Sequence, residues 1–434
     1  MSTVADLLEQ RLRQLGVQRV YGAPLAGLTH VLVDDVDLAV LLADADGRLG
    51  HHDGSGRLGA ALLDGPILHL SSEPGGLAPL QTVSDLDELA SALAEPVGIG
   101  VPGTTALHLD LDLSAVVADD ATLERPPTRA PVTTLDPSLA SLDLVVVVGP
   151  GVVRESSVEE LGSFARTAGV GILNSWGAKG VERWDSAFHF GTAGLQARDM
   201  ELGGVESADI VIVSGLDPDE TPLASLGNLV VQEVPPRHLG ALAHRWTPAR
   251  SLPERPPLYE TVASVVTPLY ESDGVPLTAP RASLHLSGAL PDGGVVVADA
   301  GPAGFWIART LPTSYPGSVC VPATRAEGFA AAAALVCRLE SRPCLAVSDQ
   351  LGGIDGIDDT SAAVLELAER LDVPVALQLW GPEGRLSDST GHVELLSAEL
   401  ATDVVRIDEV PVRTDDTAEL ERVAGPLLAW SEQP

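Results

Sequence analysis

The chain has 434 residues, of which 45% are hydrophobic, 20% charged and only 3% aromatic, and it carries a formal net charge of -35. That length exceeds one ordinary domain and fits two or three, each with its own core, and the apolar content excludes general disorder. Acidic charge spread along the whole chain does not supply the clustered cations that phosphate binding needs, so no nucleic-acid partner is expected.

The opening stretch, Val4 to Leu15, places Leu7, Leu8, Leu12 and Leu15 at helical spacing with Gly16 behind them as a cap. Its charges, every few residues, fit neither a secretion signal nor a membrane span, and no run of about eighteen uncharged apolar residues occurs later. A soluble, cytoplasmic protein without a membrane partner is expected. Strands are predicted at Val17 to Tyr21, His30 to Val33, Ala39 to Leu42, Ile67 to Leu70 and Ala106 to Leu109. The Gly- and Asp-rich stretch Ala45 to Gly56 reads as a turn or hairpin, in which His51 and His52 are merely polar. The Pro-rich segment Glu124 to Pro137 reads as a linker.

Beyond it, Leu144 to Gly151 (LVVVVGPG) is a buried strand running into a glycine turn. A helix over Ser157 to Ala168 and strands at Val170 to Leu173 and Ala208 to Gly215 follow. Strand and helix alternate as in a parallel sheet covered on both faces. The sequence contains a single lysine, Lys179, which leaves very few ammonium groups for Schiff-base chemistry. A second linker, rich in Pro and Arg, is predicted from Pro235 to Pro257.

The last segment alternates again: helix Arg281 to Leu290, strand Val295 to Ala298, helix Gly328 to Leu339, strand Cys344 to Ser348, helix Ser361 to Leu371 and strand Val375 to Leu379. Ligands of such sheets bind at the carboxyl ends of strands, which directs attention to the turns at Asp299, Asp349 and Trp380. Cys320, Cys337 and Cys344 have no metal-ligand spacing and read as reduced thiols, with Cys337 and Cys344 as small core hydrophobes.

Three stretches carry a family resemblance. LGVQRVYGAPLAG resembles the LGV-x-x-VFGVPG opening of acetolactate synthases, pyruvate oxidases and benzoylformate decarboxylases, which are thiamine-diphosphate-dependent enzymes. The segment from VVVVGPGVVRESSVEELGSFARTAG through ADIVIVSGLDPDE is similar to that family's central domain nearly step for step, including a small-Lys-Gly turn within Asn174 to Gly180 and a glycine-bounded loop at His189 to Gly194. VVVADAGPAGFWIARTL, TRAEGFAAAAALVCRLESRPCLAVSDQ and LDVPVALQLWG match its last domain in outline. The resemblance implies three doubly wound α/β domains: a shortened pyrimidine-binding-like domain over 1–123, a central domain over 138–234 and a diphosphate-binding-like domain over 275–434.

The resemblance also implies where chemistry would sit, and there the sequence departs from the pattern. The family uses a first-domain glutamate against the aminopyrimidine ring, yet no glutamate lies between Glu9 and Glu73. Asp34, Asp35 and Asp37 are the nearest candidates, against a reading as solvated loop carboxylates. A divalent metal, magnesium, would be held by the Asp of a GDG turn and an Asn about thirty residues on. Here Ser348-Asp349-Gln350 takes the GDG place, making Asp349 the candidate metal and cofactor ligand, while Trp380 or Gly381 replaces the Asn. Asp355, Asp358 and Asp359 could form a rearranged site or a solvated acidic loop.

The D-x-G-Q-H signature becomes Asp299, Gly301, Pro302 and Ala303, losing both polar side chains. In the turn that cradles the cofactor, Gly328 and Phe329 match, with Gly301 also a cofactor-side candidate, but Glu327 replaces an apolar wedge. The turn at Gly149 to Gly151 is read as closing its strand rather than binding FAD, which is not expected. Two readings result. One is a member without ordinary thiamine catalysis, acting as a homodimer, a homotetramer or a partner subunit of a full-length homologue. The alternative is a thiamine-diphosphate- and magnesium-dependent 2-oxo acid decarboxylase or carboligase with an altered proton relay. A third keeps a small-molecule ligand of another kind in the middle domain or the old cofactor cleft.

Overall fold

The computed structural model describes residues 2–25, 27–94, 103–118, 121–124, 142–221, 226, 229–246, 249, 251–349 and 357–430. The predicted linker from Glu124 to Pro137 lies almost wholly outside these residues, as do Gln350, Asp355 and the side chains of His51 and His52. The chain forms two compact units, residues 1–51 with 55–131, and residues 132–434 with 52–54. Among the described residues no helix is long and apolar enough to cross a membrane.

The first unit runs α1 (Val4–Gln14), β1 (Arg19–Gly22), β2 (Thr29–Val31), α2 (Val36–His52), β3 (Gly59–Leu63), β4 (Ile67–Ser71), β5 (Leu80–Val83), α3 (Leu86–Ala92) and β6 (Thr104–Leu109). Thr3 caps α1 through a reciprocal box with Asp6, satisfying two donors at the helix start. The strands form one six-stranded sheet, ordered β2-β1-β3-β4-β6-β5. It is parallel except for β4, which runs antiparallel to both neighbours.

Helix α2 corrects two expectations, because Ala39 to Leu42 is not a strand and Ala45 to His52 is not a turn. Ala39, Leu42, Ala43, Asp46 and Leu49 are all buried, at helical spacing. The glycines that suggested a turn mark close packing instead. A Cβ on Gly47 would stand 2.1 Å from the Ser71 carbonyl oxygen, and one on Gly50 2.5 Å from that of Arg57.

The second unit carries two sheets. The first comprises β7 (Leu144–Val148), α4 (Gly151–Arg154), α5 (Val158–Ala168), β8 (Ile172–Asn174), β9 (His189–Thr192), α6 (Asp199–Leu202), β10 (Ile210–Ser214) and β11 (Val231–Glu233), followed by α7 (Leu239–Arg245) and α8 (Pro257–Tyr270). Its five strands are parallel, in the order β11-β10-β7-β8-β9. The stretch His189 to Gly194, expected as a loop, supplies strand β9. The predicted linker from Pro235 to Pro257 contains α7, whose Leu239, Leu242 and Ala243 are buried, while Trp246 meets Phe164 edge-on at 5.4 Å. Apolar burial there outweighs a Pro- and Arg-rich composition.

The second sheet follows as β12 (Leu277–Thr278), α9 (Ala279–Ala289), β13 (Val295–Ala298), α10 (Pro302–Thr310), β14 (Val319–Cys320), α11 (Phe329–Leu339), β15 (Cys344–Ser348), α12 (Asp359–Arg370), β16 (Ala376–Gly381), α13 (Ser389–Leu400), β17 (Arg406–Arg413) and α14 (Ala418–Ala424). All six strands are parallel, ordered β12-β17-β16-β15-β13-β14. The three cysteines are buried and unbridged, and a side-chain hydrogen bond with Cys337, together with burial, pushes the Cys344 thiol up. Three sheets, each covered by helices, give a three-domain α/β architecture.

Candidate functional site

The carboxyl ends of β13 and β15 bring Asp299, Gly301 and Asp349 together at the start of α10. Asp299 is completely buried. Its Oδ1 accepts from the Ala330 N–H at 2.8 Å, Ser348 bonds to the same carboxyl, and Oδ2 has no partner among the described residues. Burial pushes its carboxyl up to about 7, against the pull of those hydrogen bonds and with the nearby Asp349 and Asp358 charges adding to the rise.

Asp349 turns its carboxyl back onto the first turn of α10, where Oδ2 accepts from the Ala303 N–H. Gly301 lies beneath it, since a Cβ there would approach Asp349 Oδ1 to 2.9 Å. Proline at the first position of α10 removes one donor, and Asp349 satisfies another, so this carboxyl serves as a helix cap. Burial raises its pKa despite the N–H.

Gly328 and Phe329 open α11. Gly328 takes a left-handed φ of 74°, and a Cβ there would meet Thr360 Cγ2 at 2.8 Å, so the turn presses against the start of α12. Phe329 is fully buried, whereas Glu327 is exposed. Asp358 caps α12 by accepting from the Ser361 N–H at 2.7 Å and from its hydroxyl, and Asp359 is exposed.

Trp380, at the place where the family resemblance implies an amide ligand, is buried and donates through Nε1 to Gln378 Oε1 at 2.9 Å. Gln378 in turn donates to Glu399 at 2.9 Å and lies 3.2 Å from His392 Nε2, whose Nδ1 faces that of His285 at 3.2 Å. This buried chain escaped the sequence reading, because its members sit on β16, α13 and α9. Burial raises Glu399 to about 8 and lowers His285 to about 4 and His392 to about 3.

Of the three first-unit candidates, Asp34 and Asp35 lie in the β2–α2 turn and Asp37 in the first turn of α2; all are exposed, with Asp35 Oδ1 capping α2 through the Leu38 N–H at 2.9 Å. The buried polar groups of that unit are others. Asp44 pairs with His69 at 2.8 Å and accepts from the N–H groups of Gly75 and Gly76 at 3.2 Å each. Asp46 accepts from the Tyr21 hydroxyl at 2.9 Å and forms an ion pair with Arg57, whose Nε lies 2.9 Å away, and Arg48 pairs with Glu73. Residues such as Arg48 and Glu73 meet only after α2 folds onto β4, so their spacing in sequence gives no warning.

Thiamine diphosphate held through a divalent cation needs several hard oxygen donors converging on one point. The residues present do not fit that group. Asp349 is committed to a backbone N–H, Asp299 and Asp349 are both pushed toward the neutral form, and Trp380 directs its only polar atom into the strand. Among the described residues no group of three or more His, Cys, Asp or Glu side chains is placed to hold a metal ion. In the middle sheet the turn at Gly149 and Gly151 is pressed against Gly215, whose carbonyl oxygen would stand 2.4 Å from a Cβ on Gly149.

No family model matches the sequence, and no curated protein matches it. Solved structures do. The thiamine diphosphate-dependent 4-hydroxybenzoylformate decarboxylase of Rhodococcus jostii superposes with a TM-score of 0.67 at 14% identity, over 96% of this chain and 100% of that one. The benzoylformate decarboxylase of Polynucleobacter necessarius gives 0.65 at 12% identity, over 96% of this chain and 99% of its own. The chain therefore has the three-domain α/β fold of thiamine-diphosphate-dependent enzymes, over nearly its whole length.

Proposed function

We propose that this protein is a non-catalytic variant of the thiamine-diphosphate-enzyme fold, acting as an oligomeric or partner subunit rather than running ordinary thiamine chemistry. The observation that carries the reading is the Asp349 carboxyl, which caps α10 at Ala303 where a metal ligand would have to face outward. The exposure of Asp34, Asp35 and Asp37, and the buried indole at Trp380, support it. What remains is a scaffold with three intact sheets and an acidic surface, suited to assembly with copies of itself or with a complete homologue.

Calorimetric titration of the full chain with thiamine diphosphate and magnesium tests the reading. No saturable heat is expected at millimolar cofactor. Micromolar binding that Asp349→Ala abolishes would overturn it in favour of a decarboxylase or carboligase with an altered proton relay.

A further inference from the structure

The only lysine of the chain borders a cavity in the second unit that is separate from the turns at Asp299 and Asp349. The cavity measures about 470 Å³, within the range of small-molecule sites. Its walls are mostly apolar, with Leu258, Val262 and Val266 from α8, Leu284 from α9, and Leu311 and Trp184 from the adjoining loops. Lys179 is 8% exposed, and its ammonium makes no hydrogen bond or ion pair with any described residue. Gly180 fixes the turn that presents it. Its φ is 88°, and a Cβ there would lie 2.0 Å from the Tyr315 carbonyl oxygen, so the backbone is pressed flat against that loop.

The charges around the cavity do not balance. Arg309 gives one nitrogen to both Asp199 oxygens at 2.8 Å and another to the Thr192 carbonyl at 2.8 Å. Asp199 also accepts the N–H groups of Leu195 and Gln196, so this carboxylate is fully engaged and Arg309 is neutralised by it. Arg255 stacks over the Tyr259 ring at 4.1 Å and donates to the Ser186 carbonyl, with no carboxylate partner among the described residues. His189, another lining residue, meets Tyr259 edge-on and leaves a buried Nδ1 without a partner among the described residues. Arg255 does not itself line the cavity, so Lys179 is the lining cation left without a carboxylate partner among the described residues, in a chain whose net charge is -35.

From this arrangement we infer that the cavity is a binding site for a small, largely apolar monocarboxylate, whose carboxylate pairs with the Lys179 ammonium while its apolar body lies along α8. A single negative charge matches the site, because Arg309 is already spent on Asp199 and the Lys179 ammonium supplies one positive charge against mostly apolar walls, which disfavour a multiply charged anion. Burial and the neighbouring Arg309 lower the free amine to about 7. A bound carboxylate favours the charged form, so binding above pH 7 takes up a proton.

One lysine in the chain makes the test site-specific. Full-length protein labelled with ε-13C-lysine gives one side-chain resonance, whose pH titration is followed alone and with phenylacetate, 4-phenylbutyrate or octanoate at about 5 mM, each paired with its neutral primary amide. The free midpoint is expected near 7. At least one carboxylate should raise it by roughly one unit or more, equivalent to about tenfold tighter binding to the ammonium form, while the amides leave it unchanged. Lys179→Met should weaken that carboxylate about tenfold and spare amide binding, and Lys179→Arg should restore part of the affinity. A free midpoint near 10.5, no effect of any of the three acids, or equal binding of acids and amides each overturns the proposal. None of these outcomes bears on the thiamine diphosphate titration, which reads a different site.

Discussion

Replacing Lys179 by methionine should stabilise the second unit at acid pH and progressively less as the pH rises. The amine is held at about 7 against an ordinary 10.5, first by burial and then by Arg309. Below pH 7 it is charged in both the folded and the unfolded chain, so folding bears the full desolvation penalty. Between about pH 7 and 10.5 the unfolded chain keeps a proton that the folded chain has lost, and stability rises with pH by up to about 1.4 kcal/mol per unit. Methionine has no such proton. The stability advantage of Lys179→Met over the parent should therefore shrink by about 2–3 kcal/mol from pH 6 to pH 9. All six tryptophans, from Trp176 to Trp430, belong to the second unit, so their fluorescence in urea titrations reports on that unit alone. A difference between the two proteins that does not change with pH would refute the reasoning, since it would mean that the amine finds water or a counter-charge in the folded state.

Asp299→Asn should act in the opposite sense across a lower window. Its carboxyl, raised to about 7 chiefly by burial, keeps its proton in the folded chain while the unfolded chain loses it above pH 4, so the parent loses stability up to pH 7. The asparagine variant should match the parent near pH 4 and exceed it by about 2–4 kcal/mol at pH 7.5, read from urea midpoints. A parallel pH dependence in both proteins would contradict this. In the first unit, Arg48→Met leaves Glu73 buried without its main cation and should cost roughly 3–5 kcal/mol. Faster amide exchange in α2 and β4 would register that loss, and unchanged protection would count against it.

The strands of the parallel sheets were legible because burial on both faces leaves uninterrupted apolar runs, as at Leu144 to Val148 and Val295 to Ala298. Helix α2 was hidden by its own packing device, since Gly47 and Gly50 carry the local signature of a turn while serving close approach to β4 and the segment at Arg57. The α8 sequence, PLYETVASVVTPLY, contains Pro268 within the helix and gave no clear signal, so the wall of the Lys179 cavity was not foreseen. At the candidate site, the residue types at Asp299, Gly301, Gly328, Phe329 and Asp349 could be read in advance. Which way Asp349 faces could not, because that depends on the proline-headed turn of α10 offering it an N–H. Polar pairs such as Tyr21 with Asp46, or Asp44 with His69, join positions 25 residues apart and exist only in the folded sheet.

The close seat of α2 on its sheet has a consequence for anyone who wishes to make this protein hardier. Glycine-to-alanine exchange inside helices is a routine route to thermostability, because it restricts the unfolded chain. In α2 that recipe reverses. A methyl group at Gly47 would collide with the Ser71 main chain, and one at Gly50 would stand 2.5 Å from the Arg57 carbonyl oxygen, so the helix could accept alanine only by lifting off the sheet. Stabilising libraries for this protein should leave these glycines untouched and spend their diversity on exposed helix faces such as that of α14.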